Sequence, residues 1–304
     1  MTSATGAHAA PPVEASTIGI DGFALADGTE VALRLAYTRS GPPEGPAYLL
    51  LHGYAGSHHA LDLRARASDA GWASAWAGPG KALDTDVRHV ITVNLPGSAY
   101  GSGWDGIVDG HASVAGMAGA IATLMDKLGI GRIEGVIGYS FGGYVAMQLK
   151  TDFPDRVGRV LAICTAWQGR GKPDDIVRLK LLDSPDKRKQ FRQSVLMQSG
   201  LKAYMERSGP AAASRELARL QAWAEEFTAE ALWRLRAAAI DFRLEQCPPD
   251  TELLYASSDT LFPPPEPAPP NARIIATPLG HQSLLYEPMI WSPYIDTWLR
   301  QVQN

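Results

Sequence analysis

Cysteine is scarce in this chain: Cys164 and Cys247 are the only two in 304 residues, and they form no CxxC pair. That excludes a disulfide framework and a cysteine-based structural zinc site, and leaves both as small buried hydrophobes. Charge of neither sign dominates. Lys+Arg is 28 and Asp+Glu is 32, a formal net charge of −4, so the electrostatic footprint of a nucleic-acid binder is missing. No apolar run is long enough, or free enough of charge, to span a membrane. The opening MTSATGAHAAPPVEAS has no basic residue followed by an apolar stretch, so it does not read as a secretory signal. The expectation is a disordered tail over residues 1–16 and a cytoplasmic location. Internal repeats are absent too. What is present is 45% hydrophobic and 20% charged residues, which excludes a disordered or fibrous chain. The length fits one large α/β domain or two small ones.

Alternation over Thr17 to Leu25 and Glu30 to Tyr37, around Ala26-Asp27-Gly28-Thr29, predicts an opening β-hairpin. Short apolar runs follow at Ala47 to Leu51, His89 to Val93, Ile133 to Ile137 and Val157 to Ile163. Such runs are typical of strands buried on both faces. Helical spacing lies between them at Ser113 to Leu128, and again from Phe141 to Asp152. Alternating strands and helices imply a mostly parallel sheet flanked by helices. From Gln168 to Gln246 no strand-like run occurs. Leu217, Leu220, Trp223 and Phe227 recur at helical spacing, with Ser214 as the N-cap after the Gly209-Pro210 break. The expected organisation is a core of residues 17–167 and 247–304 with a helical lid at 168–246. Strand character returns at Thr251 to Ser257 and Ala272 to Ala276, separated by a rigid proline run, and a helix over 288–302 closes the chain.

Gly138-Tyr139-Ser140-Phe141-Gly142 is a G-x-S-x-G segment between a strand and a helix. That context lifts a serine hydroxyl above the sheet at a helix N-terminus, as a nucleophile requires. A serine needs a base, and the base needs an acid, in chain order Ser, Asp or Glu, His. His281 is the only histidine C-terminal to Ser140, and Asp259 lies just past the strand Thr251 to Ser257. Asp241 and Asp250 compete, but one lies in the helical insert and the other precedes the strand; active-site groups belong at the carboxyl ends of strands. An oxyanion hole would draw on the backbone N–H groups of Phe141 and Tyr54, the latter in the loop His52-Gly53-Tyr54-Ala55-Gly56. His52 is expected to be structural. Tyr54, Tyr139 and Phe141 flank the nucleophile and are expected to narrow a substrate pocket toward compact acyl groups. His58, His59 and Asp62 lack the spacing of a known metal site, so no metal is expected.

Further segments resemble one family. Gly78-Pro79-Gly80-Lys81-Ala82-Leu83-Asp84-Thr85-Asp86, running into Val90 to Asn94, and the stretch Asn94 to Ser102 with Gly97, Gly101 and Ser102, are similar to signatures of the homoserine O-acetyltransferase family. Gly138 to Gly143 looks like that family's G-G-S-M-G-G elbow. Ser258-Asp259 with Leu261 to Pro264 resembles its acid loop, and Gly280-His281 with Glu287-Pro288 its histidine loop. The resemblance covers roughly residues 45–165 and 250–300. It implies an α/β-hydrolase fold with a helical lid, and ping-pong acyl transfer through the triad Ser140, Asp259 and His281. Departures also occur. Tyr139 and Phe141 replace the elbow's Gly and Met, and Gly53-Tyr54-Ala55 replaces a small-Leu-Thr sequence. The family's lid segment R-F-D-x-N-S-Y, which helps build the acceptor site, is matched by Glu226 to Leu232 without its arginine, aspartate, asparagine or tyrosine. A pocket without those groups would leave the charges of an amino acid acceptor unpaired.

The leading expectation is therefore a serine esterase acting on small acyl esters, which requires no cofactor. The alternative is an acyl-CoA-dependent O-acyltransferase with an altered acceptor, using acetyl-CoA as donor. The expected partner is a small-molecule ester or acyl substrate, with no nucleic acid or membrane, and a homodimer is compatible with the sequence. Between Arg170 and Arg192 lie eight Lys/Arg and four Asp. This cluster is either a solvated helix face or a seat for coenzyme A phosphates.

Overall fold

The computed structural model describes residues 13–61, 71–106 and 108–301. A hairpin opens the fold: β1 (Glu14–Ala24) pairs antiparallel with β2 (Glu30–Ser40). Residues 1–12 of the expected tail lie outside the described residues. Glu14 to Ser16 is a correction to that tail. These residues pair with Tyr37 to Arg39, and Glu14 meets Arg39 at 2.7 Å, so the ladder extends past the alternating stretch.

The central strands are β3 (Ala47–Leu51), β4 (His89–Val93), β6 (Ile133–Tyr139), β7 (Val157–Ile163), β8 (Thr251–Ala256) and β9 (Ala272–Ile275). The sheet runs β1-β2-β4-β3-β6-β7-β8-β9, parallel from β4 onward, and a two-residue β5 (Gly103–Trp104) pairs with β2. This is the mostly parallel sheet that the strand–helix alternation implied, in the α/β-hydrolase arrangement that the resemblance implied. All five residues of β3 and of β4 are buried. Alternate β3 side chains serve opposite faces. Leu49 and Leu51 pack with helices α1 (Val114–Lys127) and α2 (Phe141–Asp152), while Tyr48 and Leu50 pack with α8 (Pro288–Gln301) through Trp291, Ile295 and Trp298.

Local chemistry fixes the helix ends. The Ser113 hydroxyl accepts from the Gly116 N–H at 2.9 Å as the N-cap of α1. Gly129, at φ 69°, ends that helix in the left-handed turn that glycine allows. Val114, Met117, Ala118, Ile121, Leu124 and Met125 form its buried stripe.

Between β7 and β8 the described elements are helices: α3 (Pro173–Lys180), α4 (Pro185–Leu196), a π turn (Met197–Leu201), α5 (Lys202–Glu226) and α6 (Ala229–Asp241). Ser214 caps nothing. It lies inside α5, whose kink is at Gly209 (φ 79°), with Pro210 beginning the next helical run. Proline suits that first position because its missing N–H would be unpaired there in any case. A bridge between Gln168 and Arg243 closes the base of the insert. His111 to Asp241 and Lys180 to Asp109 tie it to the core at 2.9 and 2.8 Å. The short helix α7 (Ser283–Tyr286) leads into α8.

Candidate active site

The turn after β6 holds Ser140 at φ 54° and ψ −118°, a strained conformation for a residue with a Cβ. Its surroundings explain the glycines. A Cβ on Gly138 would lie 2.4 Å from the Gly142 carbonyl oxygen, and one on Gly142 would lie 2.2 Å from the Leu51 oxygen. The turn therefore closes only because strand, turn and helix backbones touch. Ser140 N–H donates to the Ile163 carbonyl at 2.8 Å, which fixes the turn to β7.

Two loops at the same end of the sheet complete a bonded chain. Ser140 Oγ lies 3.0 Å from His281 Nε2, and His281 Nδ1 lies 2.8 Å from Asp259 Oδ2. The other carboxylate oxygen, Oδ1, accepts from the Leu261 and Phe262 N–H groups at 2.8 and 2.9 Å. All three side chains are buried. Burial pushes the Asp259 carboxyl up, but the His281 bond and charge, with the two backbone N–H groups, outweigh it and hold the group below the ordinary aspartate range. An ionised Asp259 makes Nδ1 the donor and leaves Nε2 to accept the serine proton. The His281 ring stacks with Tyr139 and with Phe262, at 5.3 and 5.5 Å between centroids, and the Tyr139 hydroxyl donates to the His281 carbonyl at 2.7 Å.

The competing aspartates are engaged elsewhere. Asp241 pairs with His111, and Asp250 pairs with Lys150 at 3.3 Å. His52 is buried and has both nitrogens occupied: Nδ1 donates to the Gly53 carbonyl at 2.8 Å, and Nε2 accepts from the Leu95 N–H at 3.1 Å. Burial draws its pKa down to about 4, so it is a neutral brace for its loop. That loop rests on the serine turn, since a Cβ on Gly53 would lie 3.3 Å from Ser140 Cβ. The Tyr54 and Phe141 N–H groups, next to that contact, have no acceptor among the described residues.

Ser140 and His281 open into a cavity of about 710 Å³ between sheet and insert. Tyr54, Tyr139 and Phe141 line it. Tyr54 closes one wall by donating its hydroxyl to the Leu232 carbonyl. Of the segment Glu226 to Leu232, Leu232 lines the cavity. Thr228 uses its hydroxyl to cap α6, Glu230 is exposed, and Phe227 is buried against Trp223. The basic cluster divides. Lys180 and Lys187 pair with Asp109 and Asp183 outside, whereas Arg170, Lys172, Arg178 and Arg192 line the cavity, joined by Arg236. Two acids, Asp174 and Asp175, line it as well. None of the five cations is in an ion pair among the described residues. Arg192 and Arg236 belong to α4 and α6, and helical spacing alone did not show that they face the nucleophile.

His58 and His59 stack on each other at 4.3 Å, and Asp62 lies outside the described residues. Among the described residues the one grouping with metal-ligand spacing is Cys164 with Asp259 and His281, and the last two are bonded to each other. Cys164 and Cys247 are free thiols, the first buried and the second half-buried.

Residues 46–276 match the model of the α/β hydrolase fold family, and the chain belongs to that family. Within it, the chain is similar to curated homoserine O-acetyltransferases. The one from Haloferax prahovense is 38% identical over 149 residues, 44% of this chain and 36% of that protein. The chain thus matches little more than a third of this relative's length. Among solved structures, homoserine O-acetyltransferase from Bacillus anthracis superposes with a TM-score of 0.79 at 14% identity, covering 95% of this chain and 98% of that one. Esterase E22 superposes with a TM-score of 0.78 at 17% identity, covering 94% and 100%. Among the described residues no helix is long and apolar enough to cross a membrane.

Proposed function

We propose that this protein is a serine-dependent O-acyltransferase that takes an acyl group from a coenzyme A thioester, carries it on Ser140 and passes it to a hydroxyl. The reading is carried by the Ser140–His281–Asp259 bonded chain at the floor of a cavity rimmed by unpaired cations. His281 Nε2 takes the Ser140 proton as Oγ attacks the acyl carbonyl, and Asp259 holds the ring and stabilises the imidazolium. The oxyanion is received by the Tyr54 and Phe141 N–H groups, aided by the N-terminus of α2. His281 then gives its proton to the departing thiolate. In the second half, the acceptor hydroxyl loses its proton to His281 and attacks the acyl carbon, and His281 passes that proton to Ser140 Oγ as the acyl–serine bond breaks.

The names of the relatives support transfer, and the cationic rim suits the phosphates of coenzyme A. Acyl-CoA use would place the enzyme in the cytoplasm. Hydrolysis is the second reading, favoured by the lid. Thr228, Glu230, Ala231 and Leu232 offer no group to hold an amino acid acceptor, and an unheld acceptor competes poorly with water. One assay separates them. Acetyl-CoA is supplied with homoserine or serine, and the products are read by mass spectrometry beside 4-nitrophenyl acetate hydrolysis, with Ser140→Ala as the control. An O-acetyl amino acid as the dominant product supports transfer. Acetate alone from both donors refutes it in favour of the esterase. Turnover by Ser140→Ala within about tenfold of wild type would remove Ser140 as nucleophile.

A further inference from the structure

Arg192 stands apart from the other cavity cations. It projects from α4 into the cavity shared by Ser140 and His281, is half-buried, and makes no hydrogen bond or ion pair with any described residue. The ionisable groups that most influence it are the phenols of Tyr139, Tyr286, Tyr54 and Tyr100, while burial itself disfavours its charge. Those phenols are no counter-charge. Burial raises the pKa of Tyr54 and of Tyr100 to about 12, and Tyr139 and Tyr286 move in the same direction. The guanidinium is nonetheless held in place. It lies over the Trp223 ring at 5.6 Å, and Trp223 is fixed by its Nε1 donating to the Ala55 carbonyl at 3.2 Å and by stacking on Phe227 at 5.0 Å. Ala55 of the oxyanion-side loop, Trp223 of the insert and Arg192 are thus joined in one chain of contacts, and Arg192 ends it in the cavity that Ser140 also lines.

A half-buried guanidinium without a counter-charge is free to receive an anion, and its planar fork matches a carboxylate. We infer that Arg192 is a specificity-determining residue that seats a carboxylate of the substrate, so that the enzyme works on a carboxylate-bearing acyl group or a carboxylate-bearing alcohol. This inference rests on the acyl-Ser140 reading for its kinetics, but its binding test does not.

The acyl arm compares 4-nitrophenyl acetate with mono-(4-nitrophenyl) succinate. The acceptor arm uses 4-nitrophenyl acetate as donor and compares 1-propanol with 3-hydroxypropanoate. Wild type is expected to favour the carboxylated member of one arm by about 10- to 100-fold in kcat/KM, the scale of a charge-assisted hydrogen bond. Which arm responds tells whether the carboxylate belongs to the acyl group or to the acceptor. In Arg192→Gln that ratio is expected to collapse toward one, and Arg192→Lys is expected to restore part of it. A wild type without preference in either arm, or an Arg192→Gln variant that keeps it, overturns the inference. If no ester is turned over and no acyl-Ser140 forms, the acyl-enzyme reading fails instead. Titration of succinate and 3-hydroxypropanoate into the Ser140→Ala variant, with and without Arg192→Gln, then decides the matter alone. Binding of either that is lost with Arg192 supports the inference. Binding that is absent, or indifferent to Arg192, refutes it.

Discussion

Gly200→Ala is expected to cripple turnover although Gly200 lines no part of the cavity. The residue sits in the π turn of the insert at φ 131°, where a side chain is strained by about 1–3 kcal/mol. The larger effect is steric. A Cβ there would fall 1.9 Å from the Leu279 carbonyl oxygen and 3.4 Å from Gln282 Cβ. Leu279 and Gln282 bracket the short turn that carries His281. That turn is already fixed from the other side, with Gly280 N–H donating to Ser258 Oγ at 3.1 Å and Leu279 N–H donating to Thr277 Oγ1 at 3.2 Å. Relief of the contact therefore has to move either the π turn or His281 by about 1 Å, and a misplacement of that size costs about 100-fold in rate. The 3.0 Å bond between His281 Nε2 and Ser140 Oγ is the one at risk. The assay is kcat and KM for 4-nitrophenyl acetate, with Tm measured alongside. A kcat down by one to two orders of magnitude is expected, with KM little changed and Tm lower by several degrees. Ser199→Ala is the companion variant. It removes the 3.3 Å bond that Ser199 Oγ accepts from Gln282 without adding an atom, and a kcat loss of about three- to tenfold is expected. A Gly200→Ala enzyme with kcat within threefold of wild type would show that the insert does not brace His281.

Asp259→Asn should lower kcat by orders of magnitude, because an amide cannot stabilise the imidazolium, while Asp241→Asn should leave activity near wild type; a reversed ranking would move the acid to the insert. Stability should fall as pH drops from about 6.5 to 4. Burial, the main cause, lowers the pKa of both His52 and His58 to about 4, so the unfolded chain binds protons that the folded chain refuses. Each contributes about 3 kcal/mol at neutral pH that is lost across that window. Urea unfolding at pH 7, 5.5 and 4.5 checks this, and an unchanged midpoint between pH 7 and 4.5 would contradict the buried neutral assignment. Asp259, held low mainly by His281 against the opposing effect of burial, should add a further loss at lower pH.

Much of the fold was legible because its strands are short, apolar and punctuated. Ala47–Leu51, His89–Val93 and Val157–Ile163 have the bounds that their apolar runs mark. Such strands are buried on both faces over nearly their whole length, so they read as near-continuous apolar runs set off by polar loops. The meeting of Ser140, Asp259 and His281 was also legible, because Ser140 follows β6 at once, Asp259 and His281 lie in the loops past β8 and β9, and chain order restricts the choice. The insert was less so. Gly209 does break the helix as the sequence suggests, but the next run begins at Pro210 and not after Ser214, because proline fits a first helical position.

By itself, then, the sequence determined the layer architecture, the serine turn and the two loops that meet it, since period and punctuation are properties of neighbouring residues. Only the tertiary structure decided which charges of the 170–192 cluster face the nucleophile, that Arg192 lies over Trp223 without a counter-ion, and that the π turn at Ser199 and Gly200 abuts the His281 turn. Those relations join residues dozens of positions apart. They depend on the angle at which a helical insert settles over the sheet, which is fixed by packing of the whole chain and not by the pattern of any one segment.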